Sequence, residues 1–217
     1  MSKNPEGAIL QRDKETYAIV PRTPAGLLTP DVLEKIAGAA RKFEIPVIKI
    51  TSGQRMALVG IKPDDVEAVW EELGMDIGRA TELCLHYVQA CPGTAVCKFG
   101  VQDSLGLGTG LEADFLGSGM PAKLKIGVSG CPLCCAESFV RDVGIIGKKG
   151  GWTLLFGGHS GSRPRIADVL AEDLTTEEVT ALTKKLVAYY TENAKKKERA
   201  ARFAERMGVD AIKAAIL

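Results

Sequence analysis

In the first third of the chain, apolar residues recur twice at helical spacing. The positions are Val32, Leu33, Ile36, Ala40 and Phe43, then Val66, Val69, Trp70 and Leu73. Start signals precede the first set: Thr29 as N-cap, Pro30 at the first helical position and Asp31 in the first turn. Pro63 and Asp64 open the second set, and Gly74 stops it. Short β-prone runs fall around these helices, at Thr16 to Val20, Val47 to Thr51 and Met56 to Val59, with Ser52-Gly53 as a turn. The resulting order, β-α-β-β-α, predicts a ferredoxin-like unit in the fold sense.

After Gly74 the pattern changes, and glycines and cysteines concentrate between Gly93 and Gly161. Leu124 to Val128 predicts a strand running into Gly130-Cys131, Glu137 to Val140 a short helix, and Trp152 to Phe156 a strand ending in GGHSGSRPR. Thr175 and Glu178 make a capping box for a long helix with Val179, Leu182, Leu186 and Tyr190 on its apolar face. The run Lys195-Lys196-Lys197-Glu198-Arg199 is expected late in that helix, as a solvated face suited to its negative end. The fold class is α/β (α+β), with a ferredoxin-like half-domain over 1–75 and a ligand-wrapping α/β domain over 76–217.

Composition narrows the function. With 217 residues and a net charge of +1, no overall field draws the chain to nucleic acid or lipid. The polar N-terminus lacks the apolar segment of a secretory signal, and no apolar run approaches the ~20 residues that cross a bilayer. A cytoplasmic protein is expected. Its six cysteines then point to metal or thiol chemistry instead of structural disulfides.

Four of the cysteines form two pairs, Cys91-x5-Cys97 and Cys131-x3-Cys135, separated by 33 residues. Four thiolates are the usual ligand set of an iron–sulfur cluster. Each pair opens with Cys-Pro, and Gly93, Gly100 and Gly130 would let backbone crowd a bulky inorganic group. Zinc sites more often use C-x2-C or C-x4-C. Cys131 and Cys134 make a C-x2-C, so spacing leaves a thiol oxidoreductase open. Cys84, in LCLHYV, reads as a small core residue; of Cys134 and Cys135, only one should reach a metal.

C-x5-C followed by G-C-P-x-x-C resembles the siroheme-dependent sulfite and nitrite reductases. PAGLLTPDVLEKIAGAARKF, ITSGQRMALVGI, MPAKLKIGVSGCP and FVRDVGIIGKKGGWTLLFGGHSGSRPRI extend that resemblance through almost the whole chain. It implies a [4Fe–4S] cluster on Cys91, Cys97, Cys131 and Cys135, with Cys135 also bridging to the siroheme iron. It implies that Lys123 and Lys125, two apart on one face of a strand, lie over the bound anion, and that Arg163 and the glycine-rich turn at Gly158 contact siroheme carboxylates. Siroheme is strongly anionic, and Arg22, Arg55, Arg141, Lys148, Arg163 and Arg165 are the cations available to hold it. Trp152 reads as core, and His159 is not assigned to a metal.

The implied activity is six-electron reduction of sulfite to sulfide, with nitrite to ammonia as the alternative. A protein holding the cluster alone for electron transfer, or a zinc-stabilised module, would need no anion pocket. The chain departs from the larger reductases in holding one half-module where they hold two. It also has Gly53 where their anion-binding copy has arginine, so either Arg55 serves instead, or a second protomer in a homodimer completes the site, or the site differs. GLGTGLEA has no clear strand leading into it and so is not a nucleotide fingerprint. An external electron donor such as a ferredoxin is expected.

Overall fold

The computed structural model describes residues 4–217 and divides between Glu82 and Leu83 into two compact units. In the first, β1 (Ala8–Leu10), β2 (Tyr17–Ile19), α1 (Pro30–Lys42), β3 (Val47–Ile50), β4 (Met56–Ile61) and α2 (Val66–Leu73) follow one another. The strands form an antiparallel sheet in the order β1-β2-β4-β3. Thr29 Oγ1 accepts the Val32 N–H at 3.3 Å, so the cap reads as expected. Gly74, at φ +54°, ends α2 in the left-handed conformation that glycine adopts without penalty. Ile19, Ile36, Leu58, Ile61, Val69 and Leu73 close the core between sheet and helices. The additional strand β1 is three residues long and partly exposed, too short for an alternating pattern to announce it.

The second unit is built on five strands in sequence order: β5 (Leu85–Ala90), β6 (Leu124–Ser129), β7 (Val143–Lys148), β8 (Gly151–Phe156) and β9 (Asp168–Leu174). The first three are parallel and the last two antiparallel. Helix α3 (Ser104–Phe115) makes the crossover from β5 to β6, and GLGTGLEA lies within it. Helices α4 (Thr176–Asn193), α5 (Ala200–Met207) and α6 (Val209–Ile216) follow the sheet. The capping box at Thr175 and Glu178 is present. Phe156, Tyr190 and Phe203 pack edge to face, with centroids 5.3–6.2 Å apart, and Trp152 is buried as expected.

Two expectations change. Glu137 to Val140 is not a helix proper: Glu137 is left-handed at φ +55°, and only one 3₁₀ turn follows, over Ser138–Val140. Lys195 to Arg199 does not extend α4. Ala194 leaves the helical region (ψ 145°), and the Glu198 carboxylate accepts the Lys195 N–H at 2.8 Å, closing a separate turn. The Tyr190 hydroxyl, reaching the Glu198 carbonyl at 2.5 Å, fastens that turn to the core.

Candidate cluster and anion site

Both cysteine pairs begin at the carboxyl ends of neighbouring parallel strands. Ala90 pairs with Val128, so Cys91, after β5, and Gly130-Cys131, after β6, leave the sheet side by side. This is where open parallel sheets place ligands. The Cys91 N–H donates to the Val128 carbonyl (3.1 Å), and the Gly130 N–H donates to the Cys91 sulfur (3.1 Å). Ser104, at the start of α3, donates to the Cys91 carbonyl at 2.7 Å and lies 3.4 Å from its sulfur.

Glycines make this junction fit. A Cβ on Gly130 would lie 2.7 Å from Gly93 Cα, and one on Gly100 would lie 2.4 Å from the Gly93 carbonyl carbon. The Gly130 carbonyl accepts the N–H groups of Val101 and Gln102 at 2.9 and 3.1 Å, binding the Cys91–Cys97 loop to the Cys131–Cys135 loop.

A second glycine pair carries the latter loop across the sheet. Gly127 on β6 and Gly144 on β7 are in register, and a Cβ on either would meet the backbone of residues 136–138. Ser138 Oγ, fully buried, lies 3.0 Å from the carbonyls of Gly127 and Ile145 and 2.8 Å from Ser129 Oγ. The loop bearing Cys131, Cys135 and Arg141 is thereby fixed in place.

Cys134 and Cys135 diverge as adjacent residues should. Cys134 packs against Ile146, Leu155 and Ala167, whereas Cys135 is exposed. Desolvation, followed by the charges of Cys91, Cys131 and Cys97, pushes the Cys135 thiol up, so these sulfurs sense one another electrostatically. Among the described residues no three His, Cys, Asp or Glu side chains converge on a single metal ion. A multi-iron cluster needs no such convergence, since its thiolates bind different irons. Thiolate donors on two glycine-crowded loops fit a [4Fe–4S] group. Cys84 is buried as a small core residue.

Cations lie along the same strands. Into β6 the exposure alternates: Lys123, just before the strand, and Lys125 are half-buried, while Leu124 and Ile126 are fully buried. The Lys125 ammonium and the Arg141 guanidinium lie 5.6 and 5.7 Å from the Tyr87 ring centroid. Arg141 is 3% exposed; it donates to Gln89 Oε1 (2.7 Å), to Ser160 Oγ (3.3 Å) and to Glu137. Its Nε is buried and finds no acceptor among the described residues. Beside it, Asp142 is buried and accepts the Lys125 N–H at 2.9 Å and the Arg199 guanidinium at 2.8–2.9 Å. Burial, then the charge of Arg199, holds the Lys125 ammonium below the usual lysine range. The orphaned Arg141 Nε and the crowded cations fit a polyanionic macrocycle such as siroheme.

The other sequence candidates are placed as follows. Gly158 abuts Arg141, since a Cβ there would meet the Arg141 carbonyl at 2.5 Å. Arg163 is 71% exposed, with Glu205 at 3.6 Å, Arg165 is held by Asp168 and the Gly157 carbonyl, and Lys148 pairs with Glu172. Arg22 and Arg55 belong to the first unit, where Arg22 pairs with Asp76 and Arg55 donates to the Arg79 carbonyl at 2.6 Å. Sequence reasoning missed Ser104, Tyr87, Gln89, Asp142 and Arg199. The alternation of Leu85, Tyr87 and Gln89 on β5 was the available signal for two of them.

Residues 83–217 match the family described as the nitrite and sulphite reductase 4Fe-4S domain, and residues 9–75 the nitrite/sulfite reductase ferredoxin-like half domain. The chain belongs to the nitrite and sulfite reductase family. It is 60% identical over 217 residues to an assimilatory-type sulfite reductase of Nitratidesulfovibrio vulgaris, each chain being covered in full. It is 41% identical over 209 residues to a nitrite reductase [NAD(P)H] of Bacillus subtilis, covering 96% of this chain but 26% of that one. Among solved structures, a dissimilatory sulfite reductase I superposes with a TM-score of 0.83 at 15% identity, covering 93% of this chain and 69% of that one. The NirA protein of Mycobacterium tuberculosis gives 0.77 at 19% identity, over 90% and 38%. At such identities the likeness shows the fold alone. Siroheme and a [4Fe–4S] cluster are the cofactors of the reductase family to which the chain belongs.

Proposed function

We propose that this chain reduces sulfite to sulfide, using Cys91, Cys97, Cys131 and Cys135 to hold the cluster and Cys135 to join it to siroheme. The observation that carries this reading is the side-by-side exit of both cysteine pairs from β5 and β6, with Lys125 and Arg141 beside the same strands. Full-length similarity to an assimilatory-type sulfite reductase supports it. When bound, the two groups supply an iron that takes the sulfur oxyanion and a store that releases electrons singly.

The protein's own part is binding and proton supply. Lys123 and Lys125 give charge-assisted hydrogen bonds to the oxyanion. Lys125, with its affinity for the proton lowered, is suited to donate to a departing oxygen. Arg141, fixed by Gln89, Glu137 and Tyr87, and Gly158 against its carbonyl form the wall for macrocycle carboxylates. Arg163 at the surface adds a further contact. We place the protein in the cytoplasm, receiving electrons from a separate protein such as a ferredoxin. The mass of the protein in solution tests whether two chains pair.

Nitrite is the second substrate to test, because a nitrite reductase contains the same module at 41% identity. The deciding experiment loads the protein with siroheme, iron and sulfide, supplies a chemical reductant, and measures sulfide from sulfite and ammonia from nitrite. Lys123→Ala and Lys125→Ala should keep both cofactors and lose sulfide production. Unchanged turnover in both would remove the lysines from the mechanism.

A further inference from the structure

Asp142 and Arg199 lie 57 positions apart in sequence and form the most buried ion pair of the second unit: the Asp142 side chain is 1% exposed and that of Arg199 28%. Arg199 Nε and Nη2 lie 3.3 and 2.9 Å from Asp142 Oδ1, and Nη2 also lies 2.8 Å from Oδ2. The Lys125 N–H takes the remaining capacity of Oδ2. The carboxylate is saturated, and one edge of the guanidinium is used. Nη1 finds no acceptor among the described residues.

Arg199 is a leading electrostatic neighbour of both Lys125 and His159, and it acts on each as a like charge would. Lys123 and Arg141 also act on Lys125 as like charges. Among the described residues Asp142 acts on Lys125 in the opposite sense, and its carboxylate is spent on Arg199. Cations held together in a partly desolvated space repel one another unless an anion enters.

We propose that Arg199 is an oxyanion-binding residue of this pocket, presenting Nη1 from a guanidinium locked on Asp142. This inference rests on the reductase reading and adds to it a residue from the segment after α4. The ligand chemistry is a resonance-stabilised oxyanion, either the substrate itself or a siroheme carboxylate. A guanidinium suits both: one edge docks on Asp142 while the other stays preorganised as a donor, a division of labour that an ammonium cannot reproduce.

The test uses the double variant Asp142→Asn/Arg199→Gln, which removes the cation without stranding a buried carboxylate. Arg199→Lys keeps the charge but not the second edge, and Arg202→Gln removes a nearby exposed cation as a control. Siroheme per polypeptide and sulfite affinity, read from the visible spectrum without reductant, are measured beside circular dichroism. For the double variant the expected result is one of two losses of about tenfold, the size of one charge-assisted hydrogen bond. Weaker sulfite binding with full siroheme assigns Nη1 to the substrate, whereas lost siroheme assigns it to a carboxylate. Arg199→Lys should show a smaller loss of the same kind.

Unchanged sulfite affinity and siroheme content in the double variant overturn the proposal, as does an equal loss in Arg202→Gln. If the double variant does not fold, Arg199→Lys decides alone, and parent-like values for it overturn the proposal. A parent protein that takes up no siroheme would sink the reductase reading and this inference with it.

Discussion

Gly130 donates its backbone N–H to the sulfur of Cys91 across 3.1 Å, joining the first residue of one cysteine pair to the residue before the other. The contact requires glycine, because any side chain there would enter the backbone of Gly93 and Gln102, at 2.7 and 2.8 Å. Gly130→Ala should therefore separate the two loops. We expect a loss of about 1–3 kcal/mol of stability, the ordinary cost of overpacking, with a sharp fall in iron and acid-labile sulfide. Thermal melting and iron analysis check it; a variant that melts and binds iron like the parent contradicts it.

Gly110 gives the opposite expectation. It lies inside α3, and a Cβ there would meet nothing within 4 Å. Gly110→Ala should stabilise the protein by about 0.5–1 kcal/mol through the lower entropy of its unfolded chain, without changing cluster content. Urea denaturation at equilibrium measures the gain.

The two adjacent cysteines should behave differently. Cys134 faces Ile146, Leu155 and Ala167, so Cys134→Ala should retain full iron content. Cys135→Ser should lower it and abolish electronic coupling between siroheme and cluster in the electron paramagnetic resonance spectrum. If Cys134→Ala loses the cluster and Cys135→Ser keeps it, the ligand assignment is reversed.

Which of the two cysteines turns inward was not legible from their spacing, because it depends on the left-handed backbone of Cys134, at φ +57°. More generally, the first unit was readable because its helices carry local signals: Thr29 before α1, Gly74 after α2, and apolar residues at helical spacing. The cysteine set and the lysine alternation on β6 were likewise written locally. The Asp142–Arg199 pair was not, since 57 positions separate its members. Nor was Ser138, whose hydroxyl matters only because Gly127 and Gly144 stand in register beneath it. Helix α3 escaped notice because its glycines mimic a loop and its apolar residues cover more than one face.

Lys125 offers a pH test. Burial and neighbouring cations disfavour its charged form, so its folded pKa lies below the unfolded 10.5. The unfolded chain binds the extra proton between the two values, so this residue's contribution to stability rises as pH rises through that window. Lysines labelled by reductive ¹³C-methylation and followed by NMR should show Lys125 titrating at lower pH in the folded protein than in the urea-unfolded chain. Identical titration in the folded and unfolded states would contradict the desolvated site.

Glu198 should respond to acid. Hydrogen bonds from Arg206, foremost, hold its carboxyl at about 2, below the ordinary 4.5. The native state favours the charged form, so the contribution is complete above 4.5 and fades as pH falls toward about 2. Arg206→Gln should remove part of the slope of melting temperature against pH in that window, and an unaltered slope would show that the pair does not contribute.

Whether one constellation holds both a cluster and siroheme is read from the visible absorption spectrum of the protein purified with iron, sulfide and siroheme available. A Soret band and a red chlorin-like band above broad cluster absorption are predicted, with both band sets lost or uncoupled in Cys135→Ser. Iron and sulfide bound without any chlorin-like band, or zinc bound alone, would contradict it.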